Sequence, residues 1–408
     1  VKLKLKLLIA LNATLFVLML LGIGTVNLFA SPSADKSELE QRDLALKPAF
    51  SWARLFAGEY THEMDQYFAD HFAFRSTLLQ AGAGLKGLKG LPDKGGATIV
   101  EQGGDNTAAG SSVTGSDSVK YLILGDRAIT LFNYSAEAAN RYAKALNRFK
   151  ASVDPHVHVY SMLAPSSAAF LGDSKYRDMT DSQQDAFAVI DSQLNKGITP
   201  VDAYAALKQH RSEYIYFRTD HHWTSLGAYY AYSELMKKMD VKPRPLNTYK
   251  KGSIENFLGS SYKATLSAKL RVHPDTIDYY DPQVEYSYKA LTTKEKSVSR
   301  HVVDPHYAAA GNGFYAVFLG GDFPLGEITT KHKNGKKLVV VKDSYANALI
   351  PYLLPHFEEI DIIDPRYYKG SITAYVKEHR ITDVLLLSSS TAARTTHVAE
   401  LLEDKISK

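Results

Sequence analysis

Leu338-Val339-Val340-Val341-Lys342-Asp343-Ser344-Tyr345-Ala346-Asn347 joins an uninterrupted apolar run to a polar turn that carries a serine. A short run of this kind, with no polar face, is the pattern of a strand buried on both sides in a parallel sheet. The chain after it, Ala346 to Leu354, has helical character, with Pro351 either kinking a helix or opening a new first turn. Ser344 therefore stands at a strand-to-helix junction, where open α/β sheets keep their sites. Backbone N–H groups of a helix start offer part of an oxyanion hole there.

Upstream, Glu213-Tyr214-Ile215-Tyr216-Phe217 is rich in aromatic and β-branched residues and reads as a strand. It runs into Thr219-Asp220-His221-His222-Trp223, and a helix is expected from Ser225 to Met239. In an extended segment, side chains two residues apart share a face. Asp220 and His222 are then expected to point one way and His221 the other. A serine hydroxyl is a weak nucleophile at neutral pH; it needs a base within reach, and the base needs a third group to fix its tautomer. Asp220, His222 and Ser344 supply those three parts. Each element also has a plainer reading. Asp-x-His is usually an ordinary polar pair, Asp-Ser after a strand a helix N-cap, and Trp223 a packing residue. Asp220-His221-His222 also has the donor atoms of a metal site, but no companion cluster of aspartates completes a two-metal phosphoesterase. No metal and no cofactor is expected. The joint occurrence of the parts carries the hydrolase or acyltransferase reading.

Asp220-His221-His222-Trp223 is also a family signature. Together with Asp70-His71-Phe72-Ala73-Phe74-Arg75, Phe257-Leu258-Gly259-Ser260, Phe318-Leu319-Gly320-Gly321-Asp322, the 342–347 block and Asp364-Pro365-Arg366-Tyr367-Tyr368, it resembles the DHHW family of exported bacterial proteins. The resemblance covers roughly residues 48–388, interrupted near 95–118. That family is similar to the alginate and peptidoglycan O-acetyltransferases, SGNH-hydrolase-like proteins in which Asp-x-His precedes the serine. The resemblance implies a catalytic triad of Ser344, His222 and Asp220. It also implies an acetyl donor, a multi-spanning membrane O-acyltransferase as partner, and a cell-envelope polysaccharide as acceptor. Ordinary SGNH order has Gly-Asp-Ser near the N-terminus, whereas here Gly320-Gly321 and Asp322 precede Ser344. For the oxyanion hole, the Ser344 N–H comes first, then Gly321 and Asn347. Asn347 reads equally as a helix-surface amide. Trp223 and Tyr345 complete the substrate-binding candidates.

At 408 residues the chain can bury a large core. It has no cysteine, which excludes a disulfide framework, thiol catalysis and cysteine-ligated metal. Lys2, Lys4 and Lys6 precede an uncharged stretch, 7–30, long enough for the ~20 residues that span a bilayer. A cleaved signal peptide has a shorter apolar region, so an uncleaved transmembrane anchor is expected, with residues 1–6 cytoplasmic. The protein is then a single-pass protein of the bacterial cell membrane with an extracytoplasmic catalytic domain. The net charge of +4 comes largely from those lysines; without them, 48 basic residues become 45 against 44 acidic. No basic patch suggests a nucleic-acid partner.

The expected fold class is α/β: an SGNH-hydrolase-like doubly wound parallel sheet with an N-terminal transmembrane helix and a long insertion. Residues 31–91 read as a spacer and N-terminal helices, with the Asp70–Arg75 block docking those helices, and 92–118 as a flexible loop. Residues 119–408 read as the catalytic domain. Strands are expected at 121–124, 157–162, 360–363 and 384–387, and helices at 136–149, 181–194, 371–378 and 395–405. The insertion, about 243–337, carries Phe257, Tyr262, Tyr279, Tyr280, Tyr286 and Tyr288, which suit either sugar stacking or cover for the sheet edge. Function reads first as O-acyl transfer to a polysaccharide hydroxyl through an acyl-serine. A carbohydrate O-acetylesterase and a non-catalytic glycan-binding scaffold are the alternatives.

Overall fold

The computed structural model describes residues 2–29, 36–37, 42–75, 77–79, 81–82, 97–102, 119–172, 174–309 and 313–406. They fall into two compact units, residues 1–85 and 86–408. Much of the expected spacer after residue 30, and most of the expected loop, lie outside the described residues.

The first unit contains helices Lys2–Phe29, Trp52–Phe56 and Glu59–Asp70. The Asp70 carboxylate accepts the Ala45 N–H at 2.8 Å, and His71 Nε2 meets the Ala45 carbonyl at 2.9 Å. The transmembrane expectation is corrected here. Among the described residues, no helix is long and apolar enough to cross a membrane. The anchor over 7–30, and the single-pass membrane localisation built on it, are therefore not retained.

The second unit is built on an eight-stranded sheet: β1 (His158–Ala164), β2 (Ile198–Val201), β3 (Tyr286–Leu291), β4 (Ser297–Ser299), β5 (Leu325–Thr330), β6 (Lys337–Lys342), β7 (Glu359–Ile363) and β8 (Asp383–Ser389). Their spatial order is β4-β3-β5-β7-β6-β8-β1-β2. From β7 to β2 every neighbouring pair is parallel; from β4 to β7 every pair is antiparallel. The sheet is thus mixed, which corrects the doubly wound parallel expectation. Burial along the strands gives the reason. β6 and β8 are apolar and almost wholly buried, as strands covered on both faces must be. β3 and β5 come from the insertion and alternate buried with exposed residues, the pattern of antiparallel strands with one wet face.

Alternation along β6 divides the core. Leu338 and Val340 join one cluster with Met162, Leu385 and Leu387; Val339 and Val341 join the other with Val159, Leu163 and Leu386. Helix Ser225–Lys238 covers the first face through Ala228, Ala231, Tyr232 and Leu235. Helices Ala136–Ala151, Gln183–Asp191, Ile372–Glu378 and His397–Ile406 cover the second. Each fully buried aliphatic side chain contributes roughly 1.5–3 kcal/mol, so these layers fix β6 and the turn that follows it. The strand expected at 121–124 forms (Val119–Leu124), but in a separate three-stranded antiparallel sheet with Thr98–Gln102 and Arg127–Thr130. Strand Lys250–Phe257 pairs with Asp275–Asp281 as a two-stranded ribbon.

Candidate active site

β6 ends at Lys342, and the chain turns at once into a 3₁₀ segment, Ser344–Ala348, followed by a short helix, Ile350–Leu353, with Pro351 in its first turn. Of the two roles open to Pro351, starting a new turn is the one adopted. Asp343 caps the 3₁₀ segment: its Oδ1 accepts the Tyr345 N–H at 3.0 Å. Its Oδ2 accepts the Ser389 N–H at 2.7 Å, tying the ends of β6 and β8 together. Ser344 is thereby held on a turn anchored to two central strands.

The segment before the Asp-His pair is not a strand. Tyr216 and Trp223 form an isolated antiparallel bridge, and the Thr224 N–H donates to the Ile215 carbonyl at 2.9 Å. Residues 217–222 make the loop between them. The strand expected at 213–217 fails because its aromatic and β-branched residues serve the core without a neighbouring strand to pair with. Asp220 and His222 nevertheless meet, through an Asx-type turn and not through strand periodicity. Asp220 Oδ1 accepts the His222 backbone N–H at 2.9 Å and faces His222 Nδ1 at 2.6 Å. A proton on Nδ1 suits that carboxylate and leaves Nε2 as acceptor, and Nε2 lies 2.7 Å from Ser344 Oγ. The structure thus brings Asp220, His222 and Ser344 into one hydrogen-bonded chain, all three buried.

Residues outside the tetrad hold this chain in place. Asp220 Oδ2 accepts the Ser260 N–H at 2.7 Å. A Cβ at Gly259 would lie 2.3 Å from the Asp220 Cβ, so glycine is required for that approach. Buried Asp275 accepts the N–H groups of Arg218 and Thr219, the Thr219 hydroxyl and the Tyr214 hydroxyl, fixing the loop from beneath. The Tyr315 ring stacks on the His222 imidazole at 4.0 Å and 7°. Gly259 and Ser260 lay within a block singled out by resemblance. Asp275 and Tyr315 carried no signal, because their partners are distant in sequence.

Burial would raise the Asp220 carboxyl, but the imidazoles of His222 and His221 and the hydrogen bonds from His222 and Ser260 outweigh it. The group is held well below the ordinary carboxylate range. His221 does not point away from the pair as strand geometry predicted. Its ring lies 3.8 Å from that of His222, and its Nδ1 meets Ser260 Oγ at 2.5 Å. Burial, then the neighbouring His222, pushes it down to about 3. Asp220, His221 and His222 are close enough to share an ion, yet both nitrogens of His222 are engaged with Asp220 and Ser344.

The remaining candidates fall into two groups. Trp223 is wholly buried and donates its indole N–H to the Tyr345 carbonyl at 2.9 Å; the Tyr345 hydroxyl donates to the His221 carbonyl at 2.5 Å. Both act in positioning the two turns. The Gly321 N–H donates to the Phe318 carbonyl at 3.3 Å, and Asn347 Nδ2 donates to Asp322 Oδ1 at 2.9 Å. Asn347 is buried, not a helix-surface amide. Asp322 belongs to a charge quartet in which Lys342 and Asp364 are buried and Asp322 and Arg366 partly so: Lys342 and Arg366 reach Asp322 at 2.5 and 2.8 Å, and Asp364 at 3.4 and 2.6 Å. Asn347 thus connects the serine turn to this network. Of the insertion aromatics, Phe257, Tyr262 and Tyr288 are buried in packing. Tyr279, Tyr280 and Tyr286 pack partly buried against the core.

A mixed α/β sheet that presents a strand-end serine to an imidazole and carboxylate from a separate loop defines a class: α/β proteins with a serine-centred triplet. Within that class the chain belongs to the DHHW family, whose model, described as DHHW protein, matches residues 91–363. A DHHW family protein from Eubacterium siraeum is 34% identical, with a TM-score of 0.64 over 71% of this chain and 95% of that one. Bacillus cereus PatB1, solved with a sulfonyl adduct, is 21% identical, with a TM-score of 0.59 over 70% of this chain and 98% of its own. The O-acetyltransferase domain of Pseudomonas putida AlgJ is more distant, at 12% identity and a TM-score of 0.36 over 68% and 96%. No curated protein matches the chain.

Proposed function

We propose that this chain is a serine O-acyltransferase that moves an acetyl group from an ester donor to a polysaccharide hydroxyl. The observation that carries the reading is His222, which bridges Asp220 and Ser344 at 2.6 and 2.7 Å. His222 Nε2 takes the Ser344 proton as Oγ attacks the donor's acyl carbon. Asp220 steadies the imidazolium that forms. The tetrahedral intermediate collapses, the donor's alcohol leaves with the proton from His222, and acetyl-Ser344 remains. A sugar hydroxyl then gives its proton to His222 and attacks the acyl-serine, restoring the hydroxyl. The Ser344 N–H opens the 3₁₀ turn, where the first N–H groups have no partner within the turn, and it is the proposed donor to the oxyanion. The Gly321 N–H is engaged by the Phe318 carbonyl and Asn347 gives one of its two N–H groups to Asp322, so both stand behind the Ser344 N–H as proposed donors. The acetyl donor, a cell-envelope polysaccharide acceptor and a multi-spanning acyltransferase that supplies the acetyl group complete the proposal.

Intact-protein mass spectrometry after incubation with a generic acetyl ester tests it. The expected result is an adduct of about 42 Da, as acyl-serine chemistry requires, absent in Ser344→Ala and discharged faster when oligosaccharide is added. An adduct that persists in Ser344→Ala would overturn the nucleophile. Discharge by water alone, with no acetylated sugar, would make the protein an esterase.

A further inference from the structure

The sheet face opposite Trp223 and Tyr345 carries a second polar cluster, which the chemistry above does not use. Asp361 lies mid-strand in β7, paired with Val339 of β6 on one side and Glu327 of β5 on the other. It is fully buried, and neither of its carboxylate oxygens makes a hydrogen bond of good geometry, although the Tyr375 hydroxyl and the Glu359 carboxyl face it. Glu359, two residues earlier in the strand, shares its face. His379 caps helix Ile372–Glu378, and its ring stacks on Tyr375 at 3.9 Å and 11°. One ligand atom from each of Glu359, Asp361 and His379 lies within 4.8 Å of the others.

Charge is out of balance at this point. Lys337 Nζ, 2.7 Å from Glu359 Oε2, offsets one carboxylate. Buried Asp361 is left without a matching cation among these residues, its cross-strand neighbour Glu327 being an exposed carboxylate. A buried carboxylate without a partner is costly and is met either by protonation or by a metal.

We propose that Glu359, Asp361 and His379 form a site for a divalent transition-metal ion, with zinc as the representative of that class. Two carboxylates and one imidazole suit Zn²⁺ and its neighbours, whereas Mg²⁺ and Ca²⁺ prefer oxygen alone. Tetrahedral ligands at ~2.0–2.1 Å from zinc stand ~3.4 Å apart. Glu359 and His379 are half-buried, so both have room to close on the ion, and it has a route in from solvent. The site lies towards the N-terminal ends of the parallel strands, whereas Ser344 lies at their C-terminal end. Its role is therefore to brace β7 against helix Ile372–Glu378, not to take part in acyl transfer.

The test uses the full chain, stripped with chelator, dialysed and titrated with zinc chloride by calorimetry, with thermal melts in parallel. The expected result is one equivalent bound at micromolar affinity or better, a Tm raised by zinc, and at least tenfold weaker binding in both His379→Ala and Asp361→Asn. His222→Ala is expected to bind as the native chain does. Zinc binding that survives both cluster substitutions, or that His222→Ala abolishes, would overturn the proposal. So would an Asp361→Asn chain more stable than the native one alongside a native Tm indifferent to zinc, because a protonated carboxyl then explains the site.

Discussion

The indole N–H of Trp223 donates to the carbonyl of Tyr345 at 2.9 Å, one residue beyond the His222–Ser344 contact on both segments. Both pairs are separated by 122 residues. The two turns therefore lie side by side in register, and the buried pair sets the spacing of the reactive one. In Trp223→Phe the Tyr345 carbonyl loses its donor, a cost of about 1–3 kcal/mol for a buried group. Tm is expected to fall accordingly. The rate of Ser344 acylation should fall further than stability does, because small displacements at a reacting centre are costly, up to ~10²-fold for 1 Å. Melting curves beside time-resolved adduct formation measure the two effects separately.

His222→Gln keeps hydrogen-bonding capacity but not the base. Acylation of Ser344 by an acetyl ester is expected to slow by ~10²–10⁴, with little change in Tm. A variant acylated at the native rate would remove His222 from the proposed mechanism.

Gly259→Ala places a methyl group 2.3 Å from the Asp220 Cβ. The Ser260 helix start must move away, weakening the hydrogen bond that Ser260 gives Asp220. Overpacking of this kind costs about 1–3 kcal/mol. The expected outcome is a lower Tm together with slowed acylation. Gly321→Ala, whose Cβ would meet nothing within 4 Å but whose φ is +113°, is expected to cost stability alone.

The quartet of Lys342, Arg366, Asp322 and Asp364 balances two cations with two carboxylates. Lys342→Met leaves both carboxylates dependent on Arg366. Breaking a buried pair from one side costs about 3–5 kcal/mol. Denaturant unfolding should show that loss, with a reduced midpoint and an unchanged m-value.

Two buried histidines and two buried carboxyls pull the pH dependence in opposite directions. His221 and His356 are held down to about 3 and about 4, in both cases first by burial. Unfolded, each takes up a proton near pH 6.5, so below that pH their contribution to stability falls as pH falls. Asp191 and Asp361 are raised to about 6 and about 8, again first by burial, so in the metal-free chain their contribution rises as pH falls towards the ordinary carboxylate range. The measurement is therefore a difference between chains: in melts from pH 8 to pH 4, the Tm of His356→Phe is expected to fall less, or rise more, below about pH 6.5 than that of the native chain.

Apolar runs made the parallel core legible. β1, β6, β7 and β8 were visible as short hydrophobic stretches, and the helices covering them as periodic segments between. Ser344, His222 and Asp220 stood out by residue type and order. What the sequence hid was pairing. Tyr286 and Tyr288 suited sugar stacking until β3 was seen hydrogen-bonded to β5, where alternation and not chemistry explains them. Tyr214 to Phe217 had strand composition, but a strand needs a neighbour, and these residues have only the Tyr216–Trp223 bridge. Asp275 was silent because its importance lies in backbone groups 56 and 57 residues away.

The order of strands also bears on how the protein is made. β8 is the last of the eight to be synthesised, yet it lies between β6 and β1. At ~5–20 residues per second, Ser344 leaves the ribosome roughly 6–24 s after His222. β8 follows later still, and with it the Ser389 N–H that holds Asp343. Until β8 inserts, the nascent chain exposes the unpaired edges of β1 and β6, both apolar. Completion of the sheet and fixing of the serine turn are then one event, so a ribosome stalled before residue 383 would release a sticky, inactive chain for chaperones or proteases to clear.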